Sequence, residues 1–315
     1  MSPHNGILNV NKPAGITSFG VVARVRRLTH CRRAGHAGTL DPDATGVLLV
    51  CLGQATRMAG LLAEARKVYV AEVQLGAATD TYDASGVVTC SGDWGSIEKQ
   101  QVENVLGHFR GPVQQVPPMY SALKFQGRPM YKLARSGVHM DLPARSVLIH
   151  RLDLIAWTPP TFQVEVECSK GTYIRSLAHD IGQRLGCGAH LKRLERTQCG
   201  IFSVENSLAL DEFERAVATG EWEDYLQPAD TVISHWSAAI LADVKADMAR
   251  CGKMIELPGP SGQELAHENG RNSSCRAYDT HGEFIGILDY VPATNAWHPS
   301  MVFSRAPLQP CEYLS

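Results

Sequence analysis

No stretch of this sequence stays apolar for long. The longest such run, Val47 to Leu52, is far short of the ~20 residues a helix needs to cross a bilayer. The opening residues Met1-Ser2-Pro3-His4 also lack a charged lead followed by an apolar stretch. Neither a membrane span nor an export signal is therefore predicted, and the expected location is the cytoplasm. Nine cysteines are present, an odd number with no Cys-x-x-Cys pair. That spacing argues against a zinc site or a disulfide framework and predicts free thiols in a reducing compartment. No metal and no other cofactor is expected. Low-complexity segments and internal repeats are absent as well.

The chain also lacks a strong net charge, at -2 formally, which by itself speaks against a polyanionic partner. The charges are segregated, however. Residues 1–60 carry seven basic side chains (Lys12, Arg24, Arg26, Arg27, Arg32, Arg33 and Arg57) against two acids, Asp41 and Asp43. Residues 210–250 carry nine acids against Arg215, Lys245 and Arg250. Such segregation fits a polyanion bound on one face, and it fits a solvated helix face equally well. A second basic stretch, Lys124, Arg128, Lys132 and Arg135, is interleaved with Tyr120, Phe125 and Tyr131, as single-stranded RNA would require.

At 315 residues the chain exceeds most single cores, which predicts one large and one small domain. Apolar residues at 44% and charged residues at 20% match an ordinary globular composition. Gly6 to Val10 reads as a short strand ended by Lys12-Pro13 and Gly15. Thr17 or Ser18 then offers an N-cap to a helix with Phe19, Val22, Val25 and Arg26 at helical spacing. Thr29 to Gly46 lacks a period and is expected as a loop leading into the buried strand Val47–Leu52. Lys67 to Leu75 alternates as a strand, with Tyr69, Ala71, Val73 and Leu75 on one side. A helix is predicted around Val102, Val105, Leu106 and Phe109, strands at 147–156 and 162–169, and a helix from about Tyr173 to Leu185. The mixture predicts an α+β class. Composition changes after about residue 250, where Pro258, Gly259, Pro260 and Gly262 open a polar loop. Short strands at 276–279 and 283–290, joined by Thr280-His281-Gly282, then form a hairpin. The expected domains are 1–248 and 249–315.

The segment Arg33-Ala34-Gly35-His36-Ala37-Gly38-Thr39-Leu40-Asp41-Pro42-Asp43-Ala44-Thr45-Gly46 closely resembles the catalytic loop of tRNA pseudouridine-55 synthases, the stand-alone bacterial TruB family. The resemblance extends through Asn11-Lys12-Pro13-Ala14-Gly15-Ile16-Thr17-Ser18, Gly53-Gln54-Ala55-Thr56-Arg57, Lys67-Val68-Tyr69 and Thr79-Asp80-Thr81-Tyr82-Asp83. It continues in Met119-Tyr120-Ser121-Ala122-Leu123-Lys124 and Ser169-Lys170-Gly171-Thr172-Tyr173-Ile174-Arg175. Together these cover residues 6 to about 200 in family order. The resemblance implies a mixed, mostly antiparallel sheet with flanking helices and a small, β-rich, PUA-like RNA-binding domain at the C-terminal hairpin. It also implies isomerisation of uridine 55 in the tRNA T-loop, by base flipping and without an obligatory protein partner, as a monomer.

Moving a base from N1 to C5 needs a nucleophile that can hold an intermediate, and a carboxylate can do so. Asp41 matches the family nucleophile; the plain alternative is a turn aspartate bonding its own loop. Asp43 stands where the family commonly has an apolar residue, and it is expected to be exposed. Arg175 matches the arginine that pairs with the catalytic aspartate, a role whose fork geometry lysine does not reproduce. Tyr69 matches the tyrosine that stacks on the base and helps remove the C5 proton; otherwise it is a core strand tyrosine. His36 matches the residue that fills the gap left by a flipped base, and Tyr173 and Leu194 match pocket-lining residues. Asp83 matches a family acid with no derivable role. Three competing functions remain: a guide-RNA-dependent synthase subunit, an RNA chaperone or binding module, and a glycosidase using Asp41 and Asp43. The last conflicts with the separation two such carboxylates need.

Overall fold

A computed structural model of the chain describes residues 4–121, 124–125, 128–130, 140, 142–257 and 274–304. Strand β1 (Gly6–Lys12) leads into helix α1 (Ser18–Thr29), followed by β2 (Ala34–Ala37), β3 (Thr45–Leu52), helix α2 (Ala59–Glu64), β4 (Lys67–Leu75), β5 (Ala77–Thr79) and β6 (Val88–Ser91). Helix α3 (Lys99–Gly107) precedes β7 (Gly111–Gln115), β8 (Lys124–Phe125), β9 (Arg128–Pro129), β10 (Arg145–Thr158) and β11 (Thr161–Cys168). Next come helix α4 (Ile174–Leu185), β12 (Ala189–Cys199), β13 (Phe202–Ser203), β14 (Leu208–Ala209) and helix α5 (Leu210–Thr219). The last part holds β15 (Ala238–Leu241), helix α6 (Asp243–Arg250), β16 (Ser274–Asp279), β17 (Phe284–Val291) and β18 (Ala296–Val302).

Among the described residues, ten strands form one sheet along the path β14-β1-β3-β12-β4-β11-β10-β7, with β2 added to β3 and β13 to β12. Two of its pairings, β1 with β14 and β12 with β3, are parallel. The others are antiparallel, as the mixed, mostly antiparallel sheet requires. Side-chain alternation decides the faces. Along β4, Ala71, Val73 and Leu75 are buried and pack with α3 and α4 in one core, against which Tyr69 and Leu194 lie partly buried. In β3 every residue from Val47 to Leu52 is buried, because each face has its own cover. Leu48, Val50 and Leu52 pack against α1 and α5, while Val47, Leu49 and Cys51 share a core with α2, with Ile287 of β17 and with Phe303, just past β18.

Helix α1 begins where expected, with the Thr17 hydroxyl capping the Gly20 N–H at 2.9 Å. Its buried stripe is Val21, Val22 and Val25, and Phe19 is left 67% exposed. The stretch expected as a loop from Thr29 to Gly46 contains a strand, β2, which pairs antiparallel with Leu49–Leu52 of β3. Ala-Gly-His-Ala has no apolar alternation, so only the partner strand defines it. Strand β15 pairs in parallel with β16, and Leu241, Ala246 and Ala249 share a core with Ile285 and Trp297. The second sheet thus already includes Ala238, and the composition break falls inside it. Of the second basic stretch, Lys124–Phe125 and Arg128–Pro129 form a two-stranded pair; Tyr131, Lys132 and Arg135 lie outside the described residues, as do Ala122, Leu123, the polar loop from Pro258 to Gly262 and Cys311.

One edge of β3 positions the site. Strand β1 covers the opposite edge throughout, whereas this edge is divided: β2 pairs with Leu49–Leu52 and β12 pairs with Thr45 and Gly46. The 38–44 loop, which carries Asp41, leaves β2 and re-enters β3 at that division. The close approach of β12 explains Gly46. It has φ +95, and an added Cβ would lie 2.2 Å from the Arg196 carbonyl oxygen. Gly46→Ala should therefore lower the urea midpoint by an amount equivalent to about 1–3 kcal/mol. An unchanged midpoint would show that the seam tolerates a side chain.

Candidate active site

The 38–44 loop has little regular backbone pairing, so side chains from three elements brace it. Ser18, in the first turn of α1, brackets Leu40: its hydroxyl donates to the Leu40 carbonyl at 3.0 Å and accepts from the Leu40 N–H at 2.9 Å. Lys12, at the end of β1, is fully buried and its ammonium donates to the carbonyls of Pro13, Pro42 and Ala44 at 2.9, 2.7 and 2.6 Å. All three protons of that ammonium are thereby used. Burial pulls the Lys12 pKa down to about 8, with Asp43 and Asp41 opposing the shift. The third brace is Arg196 on β12, which donates to the Val47 carbonyl at 2.7 Å and the Gly38 carbonyl at 3.2 Å. It fills the gap where β2 and β12 divide the edge of β3.

Held this way, Asp41 meets Arg175 in the first turn of α4. Nε of Arg175 lies 2.9 Å from Oδ2 of Asp41, and Nη2 donates to Oδ1 at 3.2 Å. Two parallel contacts fix both the distance and the plane of the carboxylate. The remaining guanidinium protons are spoken for: Nη2 also donates to the Tyr120 carbonyl at 2.8 Å, and Nη1 to the Thr81 carbonyl and Asp83 Oδ2, both at 3.4 Å. A cation at a helix N-terminus opposes the helix dipole, and the two aspartates offset that. The Arg175 side chain is 6% exposed and that of Asp41 42%, so the guanidinium lies beneath a carboxylate that reaches the opening. The protein around that open tip still removes enough water to raise the Asp41 pKa; Arg175 pulls it back, and the Asp83 charge pushes it further up.

The other expected site residues sit around this pair. Tyr173 is the N-cap of α4, where the Gln115 side chain holds both its N–H (2.7 Å) and its carbonyl (2.9 Å). Burial raises its hydroxyl pKa, and Arg175 and Asp41 both act on it. Tyr69 is in register with Arg196 across β4 and β12. Burial pushes its hydroxyl up to about 12 against the pull of the Arg196 charge, so it is a neutral phenol at physiological pH. Leu194 lines the same face, and its carbonyl accepts from the Thr45 hydroxyl at 3.5 Å. His36, on β2, has its imidazole pKa lowered by burial and by Arg196, and its Nδ1 is buried without a partner. Asp41, Arg175 and Tyr173 thus come together directly, and Tyr69, Leu194 and His36 join through Arg196 and Thr45. Asp43 is exposed, as expected.

Asp83 gains the role that the sequence left open, as the second carboxylate of Arg175. The basic segment is smaller than its count suggests. Lys12 faces inward, Arg24 pairs with Glu214, Arg33 donates to the Thr56 hydroxyl and Arg57 to the Val302 carbonyl. Arg26, Arg27 and Arg32 are exposed and, among the described residues, form no ion pair. Two braces of the loop, Ser18 and Arg196, are not among the expected site residues. Ser18 reads in the sequence only as an alternative helix cap to Thr17. Arg196 is hidden because register shifts at 191/193 and 196/198 break the alternation of β12.

Comparison with known proteins places this geometry in context. A profile described as TruB family pseudouridylate synthase (N terminal domain) matches residues 26–174, and one described as tRNA pseudouridylate synthase B C-terminal domain matches residues 175–234. The tRNA pseudouridine synthase B of Dehalococcoides mccartyi is 40% identical over 308 residues, spanning 97% of this chain and 99% of its own length. The protein of the same name from Pseudomonas aeruginosa is 41% identical over 286 residues, spanning 90% and 91%. Among solved structures, an H/ACA RNP bound to a substrate RNA containing 2'-deoxyuridine superposes with TM-score 0.71 at 23% identity, covering 96% of this chain and 86% of the other. A Cbf5-Nop10-Gar1 complex gives 0.67 at 25%, covering 91% and 79%. The fold is shared with chains of those particles, but identity of 40% through nearly the full length of both chains occurs with a protein named tRNA pseudouridine synthase B; this chain belongs to the TruB family of pseudouridylate synthases.

Proposed function

We propose that this chain isomerises uridine 55 in the T-loop of tRNA to pseudouridine, with Asp41 as the nucleophile. The tRNA substrate follows from relatives that carry the name tRNA pseudouridine synthase B over nearly the whole length. The observation that carries the assignment of Asp41 is its two-point contact with the buried Arg175, which keeps an open carboxylate ionised and aimed. In the reaction the C1'–N1 bond breaks, the uracil turns, and C5 bonds to C1'. C5 then loses its hydrogen as a proton and N1 ends with one, so the product is an isomer of the substrate. Attack of Asp41 on C1' or on C6 uses the same carboxylate. Tyr69 stacks on the base and assists loss of the C5 proton, and Tyr173 and Leu194 line the pocket. The uridine must leave its stack to reach Asp41, and His36 occupies the space it vacates. The second sheet serves as a small RNA-binding unit, and the chain works as a monomer.

A guide-RNA-dependent subunit is the second reading, because the solved neighbours come from H/ACA particles. Incubating the purified chain with an unmodified tRNA transcript separates the two. Pseudouridine at position 55 supports the stand-alone enzyme; its absence until a guide RNA is added supports the other.

Three further outcomes are expected. Asp41→Asn keeps the shape of the side chain and removes its charge, so turnover should vanish while tRNA binding in a filter assay survives. An active Asp41→Asn with an inactive Asp43→Asn would reverse the assignment. The pH profile should carry a second signature. The carboxylate is the working form and its pKa is raised, so turnover should fall with decreasing pH above the ordinary aspartate range. Asp83→Asn removes a like charge and should move that acid limb to lower pH; a limb that moves upward would contradict the proposed electrostatics. Finally, a transcript with tritium at C5 of uridine should release one label to water per pseudouridine formed, and Tyr69→Phe should lower turnover more than binding. Release of free uracil would indicate a glycosidase, and no release with intact binding an RNA-binding module.

A further inference from the structure

Backbone strain near the site is concentrated at Tyr82, whose φ of 62 is left-handed, a conformation that costs a side-chain-bearing residue ~1–2 kcal/mol. Tyr82 lies between two groups that hold Arg175. The Thr81 carbonyl and the Asp83 carboxylate both receive Nη1 at 3.4 Å. Asp83 Oδ1 is itself fixed by the hydroxyls of Thr81 and Ser85 at 2.7 and 2.6 Å. Leu191 fastens the turn from behind, donating to the Tyr82 carbonyl at 3.0 Å and accepting from the Ala84 N–H at 2.9 Å.

On its other side the Tyr82 ring stacks on His179, with centroids 4.0 Å apart and planes inclined by 21°. His179 is four residues after Arg175 on α4, hence on the same face of that helix. Its Nδ1 is buried without a partner, and burial lowers its pKa. A neutral imidazole with an unpaired buried nitrogen contributes here through its flat face, since the missing hydrogen bond is a liability. Two fastenings therefore run from α4 to one turn: the guanidinium of Arg175 and the ring of His179.

We propose that the Tyr82–His179 stack is a positioning device that locks the Thr81–Asp83 turn to the helix carrying Arg175, so that the fork on Asp41 keeps its aim. The proposal rests on the reading of Asp41 as nucleophile. Without the stack, the turn can relax from its left-handed conformation, Thr81 and Asp83 release Nη1, and the guanidinium gains freedom to tilt. A misplaced fork lowers the rate of the chemical step with little effect on the contacts that bind tRNA.

Four variants test this, each assayed for kcat and KM on a tRNA transcript with its melting temperature recorded. Tyr82→Gly is the informative one, because glycine accepts the left-handed backbone without strain and lacks the ring. Tyr82→Gly and His179→Ala should each lower kcat about ten- to a hundredfold with KM changed less than about twofold. Tyr82→Phe and His179→Phe preserve a stacking face and should stay within about threefold of the parent. Full kcat in Tyr82→Gly and His179→Ala overturns the proposal, as does a loss that appears only where the variant has begun to melt. Asp41→Asn and Arg175→Lys are run alongside. If they remain active, the reading of Asp41 fails; if they are inactive while the stack variants work normally, only the positioning role fails.

Discussion

A guanidinium buried at the first turn of a helix stands against the helix dipole and away from water, and it persists only if all its donors are met. Arg175 meets that condition through four groups: the carboxylates of Asp41 and Asp83 and the carbonyls of Thr81 and Tyr120. They come from the 38–44 loop, the turn after β5 and the segment after β7. One side chain thus draws three separate parts of the chain to a point. The geometry of Asp41 follows from that convergence, because the two-point contact leaves its carboxylate little freedom to rotate while one edge stays open.

The sheet supplies the complementary constraint. Strand β3 is covered on both faces and along one full edge, and the other edge is split between β2 and β12. A loop leaving such a seam cannot complete ordinary ladder hydrogen bonds. Its carbonyls are met by the charged side chains of Lys12 and Arg196, each bond of this charge-assisted type contributing about 1.5–3 kcal/mol. Irregular backbone, which positions the Asp41 carboxylate, is therefore rigid here for a local reason.

How much of this the sequence disclosed depended on the kind of signal. The alternation of Lys67–Leu75 and the cap at Thr17 were legible, because each is a short-range rule that the chain obeys alone. Strand β2 was not, since Ala34–Ala37 becomes a strand only by pairing with β3. Site residues were reached through motif resemblance, and Asp41 alone would have passed for a turn aspartate. Arg196 escaped because two register shifts break the period that would have shown a charge on a buried face. Lys12 was counted as part of an RNA-facing charge, although three backbone carbonyls claim it; the number of charges in a segment does not reveal their direction. The start of the second sheet at Ala238 was hidden for a similar reason, as β15 joins that sheet by a parallel pairing to β16, distant in sequence.

The second sheet is not simply appended. Ile287 and Phe303 share a core with Val47, Leu49 and Cys51, the inner residues of the strand that follows the Asp41 loop, and the carbonyl of that same Val47 receives Arg196. Packing at the outer sheet therefore bears, through a single strand, on a brace of the Asp41 loop. Mechanically, β3 is a lever shared by two units: a cavity opened at Ile287 or Phe303 lies in the same core as Val47, so the loosened packing is passed to the strand whose carbonyl anchors Arg196.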